Sequence, residues 1–293
     1  MNQKLKIGDE NYPQILQEIS DPPELLFYRG NLDALNYKYA IAVVGTRRCS
    51  EYGREATRAI TKELARAGIT IISGLARGID TVAHETALES GAPTIAILGS
   101  PLGDKEIYPQ QNVGLAHKII EAGGLLLSEY KPETPSYASN FPQRNRIVAG
   151  LSRGTLVVEA PLKSGARITA RLSLEYNRDV YVVPGSVFSR LNEGSHDILK
   201  QGAKLVTSAR DILEDIPQEL LLKRAKAGTV PALLNNEERK VLELIGEADG
   251  PLHIDKIIQA TKLSANDVAQ ITTLMVLQDL IKESSPNTFI VIK

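Results

Sequence analysis

Basic residues gather in one stretch of this chain, between Arg144 and Arg190. The stretch contains eight basic and three acidic residues, a net charge of +5, whereas the whole chain of 293 residues carries a net charge of −1. It also contains two apolar runs of strand type, Gly154–Ala160 and Arg178–Gly185, with an amphipathic helical pattern between them. Because arginine side chains and strand-to-helix turns both suit phosphate oxygens, this stretch predicts a phosphate-binding site.

Three loops that contain glycine follow predicted strands, at Val43–Gly53, Ser73–Asp80 and Leu98–Pro109. Backbone amides in such loops, together with the N-terminus of the next helix, form an anion site. Glycines that only turn the chain explain any one loop equally well, but arginines in the first two loops favour phosphate. The first loop matches neither GxGxxG nor a Walker sequence. The loop residues that we assign to binding are Arg47, Arg48, Ser50, Gly53, Gly74, Arg77 and Gly78.

The segment FPQRNR, at residues 141–146, leads into a helical pattern. Phe141 could stack a nucleotide base, or it could pack in the core while Pro142 starts the helix, and the sequence leaves both open. Arginine near a helix start opposes the helix dipole, so we expect a non-structural role for the two arginines of the segment. A second helix begins further on with Gly165, and Ser164 is its expected cap. The binding residues assigned here are Phe141, Arg144, Asn145, Arg146, Gly165 and Arg167.

Candidates for catalysis are few. His84 lies on a mainly apolar helical pattern and is expected to make a buried hydrogen bond. His117 and His196 have no cysteine or paired acid at the spacing of metal ligands, so we predict neither a metal nor a cofactor. Glu159 ends a buried strand, and it is the one carboxylate that could act as an acid or base. Since G-x-S-x-G is also absent, the sequence predicts a protein that is not an enzyme.

The elements that position these residues follow a regular rhythm from Tyr39 onward. Apolar runs of strand length alternate with amphipathic segments of helix length. Strands that are apolar on both faces predict an α/β fold, an extended Rossmann-like, doubly wound and mostly parallel sheet. Such folds bind ligands at the carboxyl edge of the sheet. The predicted strands are Ala40–Val44, Thr70–Ser73, Thr94–Leu98, Leu125–Ser128, Thr155–Glu159, Val180–Val183 and Lys204–Val206.

The chain divides into a short polar N-terminal lead (residues 1–37), the Rossmann-like core (38–222), a linker (223–232) and a small C-terminal domain (233–293). Three helical patterns and a β-like tail predict that the last domain is a winged helix. Those patterns are Glu237–Ala248, His253–Thr261 and Ser264–Asp279.

The charge of this small domain argues against DNA reading. It has nine acidic and six basic residues, and its third helix has two aspartates and neither lysine nor arginine. Helices that read a major groove need basic or amide side chains at base edges. We therefore expect the domain to contact protein or to stabilise the chain.

The sequence also indicates a compartment. Cys49 is the one cysteine, so there is no disulfide framework. The N-terminus has no apolar run of signal-peptide length, and no stretch reaches the ~18 apolar residues of a membrane span. We expect a cytoplasmic protein that is not bound to a membrane.

With these motifs, the chain closely resembles the DNA-processing protein A family (DprA, also called Smf). The motifs that carry the resemblance occur in order between Tyr12 and Ile212: VVGTR, ISGLARGID, SEY, FPQRNRI, VVEA, SGARITA and VPG. Many members carry a basic residue just before the FPQRN position, whereas SYASNFP has none here. Arg144, Arg146 or Arg167 would then supply that charge. The long N-terminal helical domain of some members is missing or reduced to the short lead.

The resemblance implies a function. It implies binding of single-stranded DNA by the core, a homodimer, and loading of the RecA recombinase during natural transformation. It assigns DNA contacts to Arg47 and to the FPQRNR segment. In such a dimer, two arginine-lined edges that hold one strand in tandem would raise the apparent affinity.

Two enzyme classes are alternatives. A nucleotide phosphoribohydrolase on a related scaffold would use Glu159 as its acid or base, but such hydrolases have a PGG-GT-E type loop, and the corresponding run here is LSRGTLVVEA. A dinucleotide oxidoreductase is a weaker alternative, because GxGxxG and an acidic ribose partner are absent.

Overall fold

The computed structural model describes residues 3–221, 236–248, 250–277 and 280–291. Its contacts divide the chain into two units, and the division falls after Leu221. The predicted linker at residues 223–232 lies outside the described residues. Each unit has its own apolar core.

A nine-stranded sheet forms the first unit. The strands are β1 (Gln3–Lys6), β2 (Leu25–Gly30), β3 (Ala40–Val44), β4 (Thr70–Ser73), β5 (Thr94–Leu98), β6 (Leu125–Ser128), β7 (Gly154–Val157), β8 (Asp179–Val182) and β9 (Lys204–Leu205). Their order in the sheet is β1-β2-β6-β5-β4-β3-β7-β8-β9. Every pairing among β3 to β9 is parallel. The prediction of a mostly parallel α/β sheet is confirmed.

The N-terminal segment belongs to this sheet. β1 pairs antiparallel with β2, and β2 pairs antiparallel with β6. The predicted boundary at residue 37 therefore does not separate two structural units. The sequence concealed β1 because only Leu5 of its four residues is buried, as is usual for an edge strand.

Helices cover both faces of the sheet, as the doubly wound pattern requires. They are α1 (Gln14–Gln17), α2 (Glu51–Arg66), α3 (Ile79–Glu89), α4 (Val113–Glu121), α5 (Asn140–Gly150), α6 (Gly165–Glu175), α7 (Glu193–Lys200) and α8 (Ala209–Leu213). Alternate residues of β3 face opposite sides. Ala42 packs in a core with α1, α5 and α6, whereas Ile41 and Val43 pack against α2, α3 and α8.

The strand order reverses direction at β3. From β3 the chain adds β4, β5 and β6 on one side, and it then adds β7, β8 and β9 on the other. The crevice between the carboxyl ends of β3 and β7 is the topological switch point. Open α/β sheets bind their ligands at such a point.

The described residues of the second unit form three helices, α9 (Asn236–Glu247), α10 (Ile254–Thr261) and α11 (Ala265–Leu277), and three strands, β10 (Leu252–His253), β11 (Ile281–Ser285) and β12 (Thr288–Val291). The strands form an antiparallel sheet in the order β10-β12-β11. Val241, Ile257, Val268 and Phe289 contribute to its core. This arrangement confirms the predicted winged helix. Within the described ranges, no helix is long and apolar enough to cross a membrane.

Candidate functional site

A cavity of about 1160 Å³ opens at the switch point. The loop after β3, the start of α5, and the segment from Pro161 into α6 form most of its wall. Among the described residues that line it, six are basic and one, Asp80, is acidic. The cavity therefore combines the fold's usual ligand position with a strong excess of positive charge.

One wall of the cavity is aromatic. The guanidinium carbon of Arg47 lies 5.5 Å from the centre of the Phe141 ring, a cation–π distance. The Phe141 ring lies 5.2 Å from that of Tyr108, tilted by 55°. Phe141 is half-buried in this wall, and a Cβ at Gly99 would lie 2.8 Å from its ring, so the glycine permits this position. Pro142 is the third residue of α5, not its first.

Exposed cations surround the opening. Arg48, Lys163 and Arg171 line the cavity and are exposed to solvent. Arg167 also lines it, but its guanidinium lies 3.2 Å from Asp197 and donates a hydrogen bond to the Leu162 carbonyl. Lys163 and Arg171 were not assigned to the site from the sequence. The signal that could have found Arg171 is its spacing of four residues from Arg167, which places both on one helix face.

The start of α6 opens into the same cavity. The Ser164 hydroxyl accepts a hydrogen bond from the Ala166 amide, which confirms the predicted cap. Asn145 donates a hydrogen bond from its side-chain amide to the Gly165 carbonyl and so fastens α6 to α5. Because Ser164 and Gly165 line the wall, the positive end of the helix dipole acts on whatever the cavity binds.

The first glycine loop already holds a carboxylate of the protein. Glu159 accepts a hydrogen bond from the Ser50 amide at 2.9 Å and another from the Ser50 hydroxyl at 2.5 Å. A Cβ at Gly53 would lie 2.4 Å from a Glu159 oxygen, so only glycine fits beside this carboxylate. Ser50 and Gly53 therefore form an internal anion site at the start of α2. The Ser50 amide and hydroxyl are already bonded within the protein, which the sequence did not indicate.

In the other two glycine loops, a carboxylate of the protein also accepts hydrogen bonds from the loop amides. The Asp80 carboxylate accepts hydrogen bonds from the amides of Gly74 and Ala76, at 3.1 and 3.3 Å. In the third loop, Glu106 accepts a hydrogen bond from the Gly103 amide at 3.2 Å. Each loop thus binds an anion, as the sequence indicated, but the anion is a side chain of the same chain.

Arg144 has a structural role. It is 5% exposed and donates hydrogen bonds to the carbonyls of Gly74, at 2.6 Å, and Ile97. Burial lowers the pKa of Arg144 to about 10 and raises the pKa of nearby Asp80, and each charge opposes the other's shift. A Cβ at Gly74 would lie 2.3 Å from the guanidinium. Arg144 therefore ties α5 to the loop after β4 and to strand β5, although one side of it still lines the cavity.

Arg146 is also paired within the protein. It lies 2.9 Å from Asp21 and 2.7 Å from Glu129, and it does not line the cavity. The expectation of a non-structural role is therefore wrong for Arg144 and Arg146. The reason is that acceptors remote in sequence offset the unfavourable helix dipole at these positions.

The structure brings seven of the thirteen predicted binding residues together. Those in the cavity wall are Arg47, Arg48, Phe141, Arg144, Asn145, Gly165 and Arg167. Those outside the wall are Ser50, Gly53, Gly74, Arg77, Gly78 and Arg146. Gly78 has a φ of 76° and packs against the Thr46 carbonyl, where a Cβ would lie at 2.3 Å, so it shapes the loop that presents Arg47. Contact with DNA stays a prediction for all thirteen.

The residues considered for catalysis do not line the cavity. Glu159 is buried against Ser50 and does not line the wall. His84 is fully buried, and its Nδ1 lies 2.9 Å from the Thr94 hydroxyl, which confirms the expected hydrogen bond. Burial lowers the pKa of His84 to about 3. The part of the chain that the structure describes has no group of three or more His, Cys, Asp or Glu residues that could hold a metal ion.

The comparisons with known proteins identify the class. The family model for DNA recombination-mediator protein A matches residues 3–217, and the model for the DprA winged helix domain matches residues 225–284. The fold and these matches place the chain in a family of recombination mediators. The chain belongs to the DprA/Smf family.

Two relatives illustrate the match in sequence. Protein Smf of Escherichia coli (strain K12) is 47% identical over 207 residues, which cover 71% of this chain and 54% of that protein. The DNA processing protein DprA of Streptococcus pneumoniae (strain R6) is 45% identical over 209 residues, which cover 71% of this chain and 72% of that one. The match thus spans about half the length of the Escherichia coli relative.

Two solved structures share the fold. The X-ray structure of DprA from Streptococcus pneumoniae matches with a TM-score of 0.69 and 43% identity, over 74% of this chain and 75% of that one. DprA from Helicobacter pylori, described for its single-stranded DNA binding mode, matches with a TM-score of 0.65 and 31% identity, over 73% of this chain and 94% of that one.

Proposed function

We propose that this protein binds single-stranded DNA in the cavity at the switch point. The observation that supports this proposal best is the wall formed by the Phe141 and Tyr108 rings, with Arg47 over Phe141 and exposed cations around the opening. Cations neutralise backbone phosphates without regard to sequence. Aromatic rings stack on bases of any kind. Together they favour a binder of single strands with little sequence preference.

The same wall explains a preference over duplex DNA. A base inside a duplex is stacked on both of its faces, so its face is not free for Phe141. A single strand has no such restriction, and each stacked base contributes about 1–3 kcal/mol. The cavity volume of about 1160 Å³ is larger than the ~300–1,000 Å³ of ordinary small-molecule sites. A cavity of this size suits a segment of a polymer.

We further propose that the protein is a mediator that protects incoming DNA and loads RecA during natural transformation, as a cytoplasmic homodimer. Membership of a family of recombination mediators supports this role. A mediator has to hold the strand that the recombinase will occupy. In a dimer, two cavities on one strand would raise the apparent affinity through effective concentration.

A binding assay at several salt concentrations tests the DNA proposal. Labelled single strands, the matching duplex and mononucleotides are titrated while anisotropy is measured. We expect the single strand to bind most tightly, with log K falling with log salt by roughly 0.7 for each phosphate contact. Equal affinity for duplex and single strand at every salt concentration would refute it.

Separate measurements test the finer proposals. Sedimentation at micromolar concentration should show a dimer, and strands that span two cavities should bind more tightly than strands that fill one. The protein should also speed RecA filament formation on DNA covered by a single-strand-binding protein. A monomer with no effect on RecA would leave only the DNA-binding proposal.

The phosphoribohydrolase alternative has a direct test as well. Glu159 would be its acid or base, but this carboxylate is buried against Ser50 and lies outside the cavity wall. Incubation with nucleoside monophosphates should therefore release no free base. Release of base that Glu159→Gln abolishes would favour the enzyme.

A further inference from the structure

Phe188 is the most exposed large apolar side chain of the described residues. Its exposed fraction is 95%, and that of its neighbour Val187 is 75%. Both lie in the loop between β8 and α7, at the same carboxyl edge of the sheet as the cavity. Exposing a phenyl ring in this way forgoes the stabilisation that burial would give, so its position calls for a ligand.

The loop holds Phe188 in an ordered position. The Phe188 amide donates to the Ser186 hydroxyl at 3.2 Å, and the Ser189 amide donates to the Ser186 carbonyl at 3.1 Å. Farther along, the Asn192 amide donates to the Ser189 carbonyl at 3.0 Å. At Gly185, a Cβ would lie 2.2 Å from the Asn192 side chain, so the two ends of the loop are closely packed. The ring is therefore presented to solvent by a turn with its own hydrogen bonds.

The loop is joined to both sides of the cavity. On one side, the Tyr52 hydroxyl donates to the Pro184 carbonyl at 2.6 Å, and Tyr52 lies in the first turn of α2, just after Arg47 and Arg48. On the other side, Leu191 lines the cavity. The Ser195 amide donates to the Ala160 carbonyl at 3.1 Å, which ties the start of α7 to the loop after β7.

Aromatic and cationic side chains thus continue beyond the cavity. Inside it are Phe141 and the arginines of the first loop, and outside it are Tyr52, Phe188 and the exposed Arg190. Aromatic platforms within a positively charged path are how proteins hold single strands. A protein interface would instead require a larger continuous apolar patch, and the tip of this loop is flanked by Ser186, Ser189 and Arg190.

We propose that Phe188 is a second stacking platform for single-stranded DNA. A strand that leaves the cavity crosses the carboxyl end of β8, places a base on the Phe188 ring and places a phosphate near Arg190. This proposal rests on the proposed function of the cavity. It adds a binding site for nucleotides outside the cavity and predicts which strands need it.

Strand length separates the two sites. Oligothymidylates from about 3 to about 16 nucleotides, a range that covers known single-strand site sizes, are titrated against the full-length protein. Phe188→Ala should weaken binding of the long strands by about 5- to 150-fold, the effect of one lost stacked base. Binding of the shortest strands, which fill the cavity alone, should be unchanged. Leu205→Ala, at another exposed apolar position of the sheet, is the matched control.

Two more variants distinguish stacking from apolar contact. Phe188→Leu keeps apolar area but removes the ring, so stacking predicts that it behaves like Phe188→Ala. Phe188→Trp should bind normally, and because the chain has no other tryptophan, its fluorescence should be quenched by long strands only. The melting temperature of all three variants should match that of the wild type, since the side chain is exposed.

The outcomes are separable. If the wild type binds long strands while Phe188→Ala and Phe188→Leu bind them equally well and Phe188→Trp is not quenched, this proposal is wrong and the cavity proposal stands. If Phe188→Leu keeps the affinity that Phe188→Ala loses, and Phe188→Ala also changes the sedimentation coefficient, Phe188 contacts protein and not DNA. If the wild type binds no single strand of any length, both proposals fail.

Discussion

At the scale of the residue, arginine side chains serve two different purposes at the carboxyl edge of this sheet. Arg47 and Arg48 are exposed at the cavity, whereas Arg144 and Arg146 are held by partners inside the protein. The sequence predicted where arginines concentrate. It could not predict which of them are free, because the carbonyls that hold Arg144 come from residues 70 and 47 positions away.

The first prediction concerns Arg47, the exposed arginine whose guanidinium lies over the Phe141 ring. Arg47→Ala should weaken single-strand binding by about 10- to 150-fold, because a charge-assisted hydrogen bond contributes about 1.5–3 kcal/mol. Its melting temperature should stay that of the wild type. Arg210→Ala is the control, since Arg210 is exposed on α8 and does not line the cavity. Anisotropy and thermal melts measure both, and equal losses for the two variants would indicate a nonspecific charge effect.

The second prediction concerns the buried arginine. Arg144→Met should lower the free energy of unfolding by about 2–6 kcal/mol, because it leaves two buried carbonyls without their donor, at about 1–3 kcal/mol each, and it also removes the positive charge that favours the ionised form of buried Asp80. The double variant Arg144→Met with Asp80→Asn removes both charges and should recover part of that loss. Urea denaturation of the wild type, the two single variants and the double variant gives the coupling. Additive losses would show that the two charges do not stabilise each other.

The third prediction concerns pH. Burial lowers the pKa of His84 from 6.5 to about 3, so the unfolded chain binds a proton in this range that the folded protein does not. The stability is therefore complete above pH ~6.5 and falls as the pH falls towards ~3, at about 1.4 kcal/mol per pH unit. Between pH 7.5 and pH 5, the wild type should lose about 2 kcal/mol more than His84→Gln. Identical slopes in urea denaturation would contradict this.

At the scale of the element, the sequence predicted the positions of the glycine loops and of the helix N-termini. It did not predict that carboxylate side chains of the same protein bind in the loops. Strands β3 to β9 follow from apolar runs, and the cap of α6 follows from Ser164. The carboxylate in the first loop could not be predicted from the sequence, because Glu159 is 109 residues from Ser50. Asp80 and Glu106, in contrast, lie within their own loops, so their short spacing from Gly74 and Gly103 was a signal that the sequence did contain. As a result, α6 offers its N-terminus to the cavity, while the N-terminus of α2 is already neutralised.

A variant can reopen the internal anion site. Glu159→Ala should lower the free energy of unfolding by about 1–3 kcal/mol, because the Ser50 amide at the start of α2 loses its acceptor. The vacated space lies among backbone donors at a helix start, which bind anions. Added phosphate should therefore raise the melting temperature of Glu159→Ala more than that of the wild type. Glu63→Ala, exposed on the same helix, is the control. An equal response of all three proteins to phosphate would contradict the assignment.

At the scale of the whole molecule, the net charge of −1 conceals an uneven distribution. The stretch from Arg144 to Arg190 carries +5, and residues 233–293 carry −3. The charge pattern and the winged helix were both evident in the sequence. The N-terminal strands were not. β1 is a short edge strand with a single buried residue and gives almost no periodic signal, and the two buried residues of β2 are consecutive and do not alternate with exposed ones.

The last prediction follows from this distribution. A chain that ends at residue 232 keeps the whole nine-stranded sheet, its helices and the cavity, and the residues 233–293 that it lacks carry a net charge of −3. Truncation should therefore leave single-strand affinity unchanged at physiological salt, because every residue that lines the cavity belongs to the first unit and salt screens the interactions between exposed charges. At low salt the truncated protein should bind as tightly as the full chain or more tightly, because a net negative contribution is gone. Titration of both proteins at two salt concentrations measures this, with a thermal melt to confirm that the truncated core is folded. A folded core that loses most of its affinity would place a DNA contact in the winged helix.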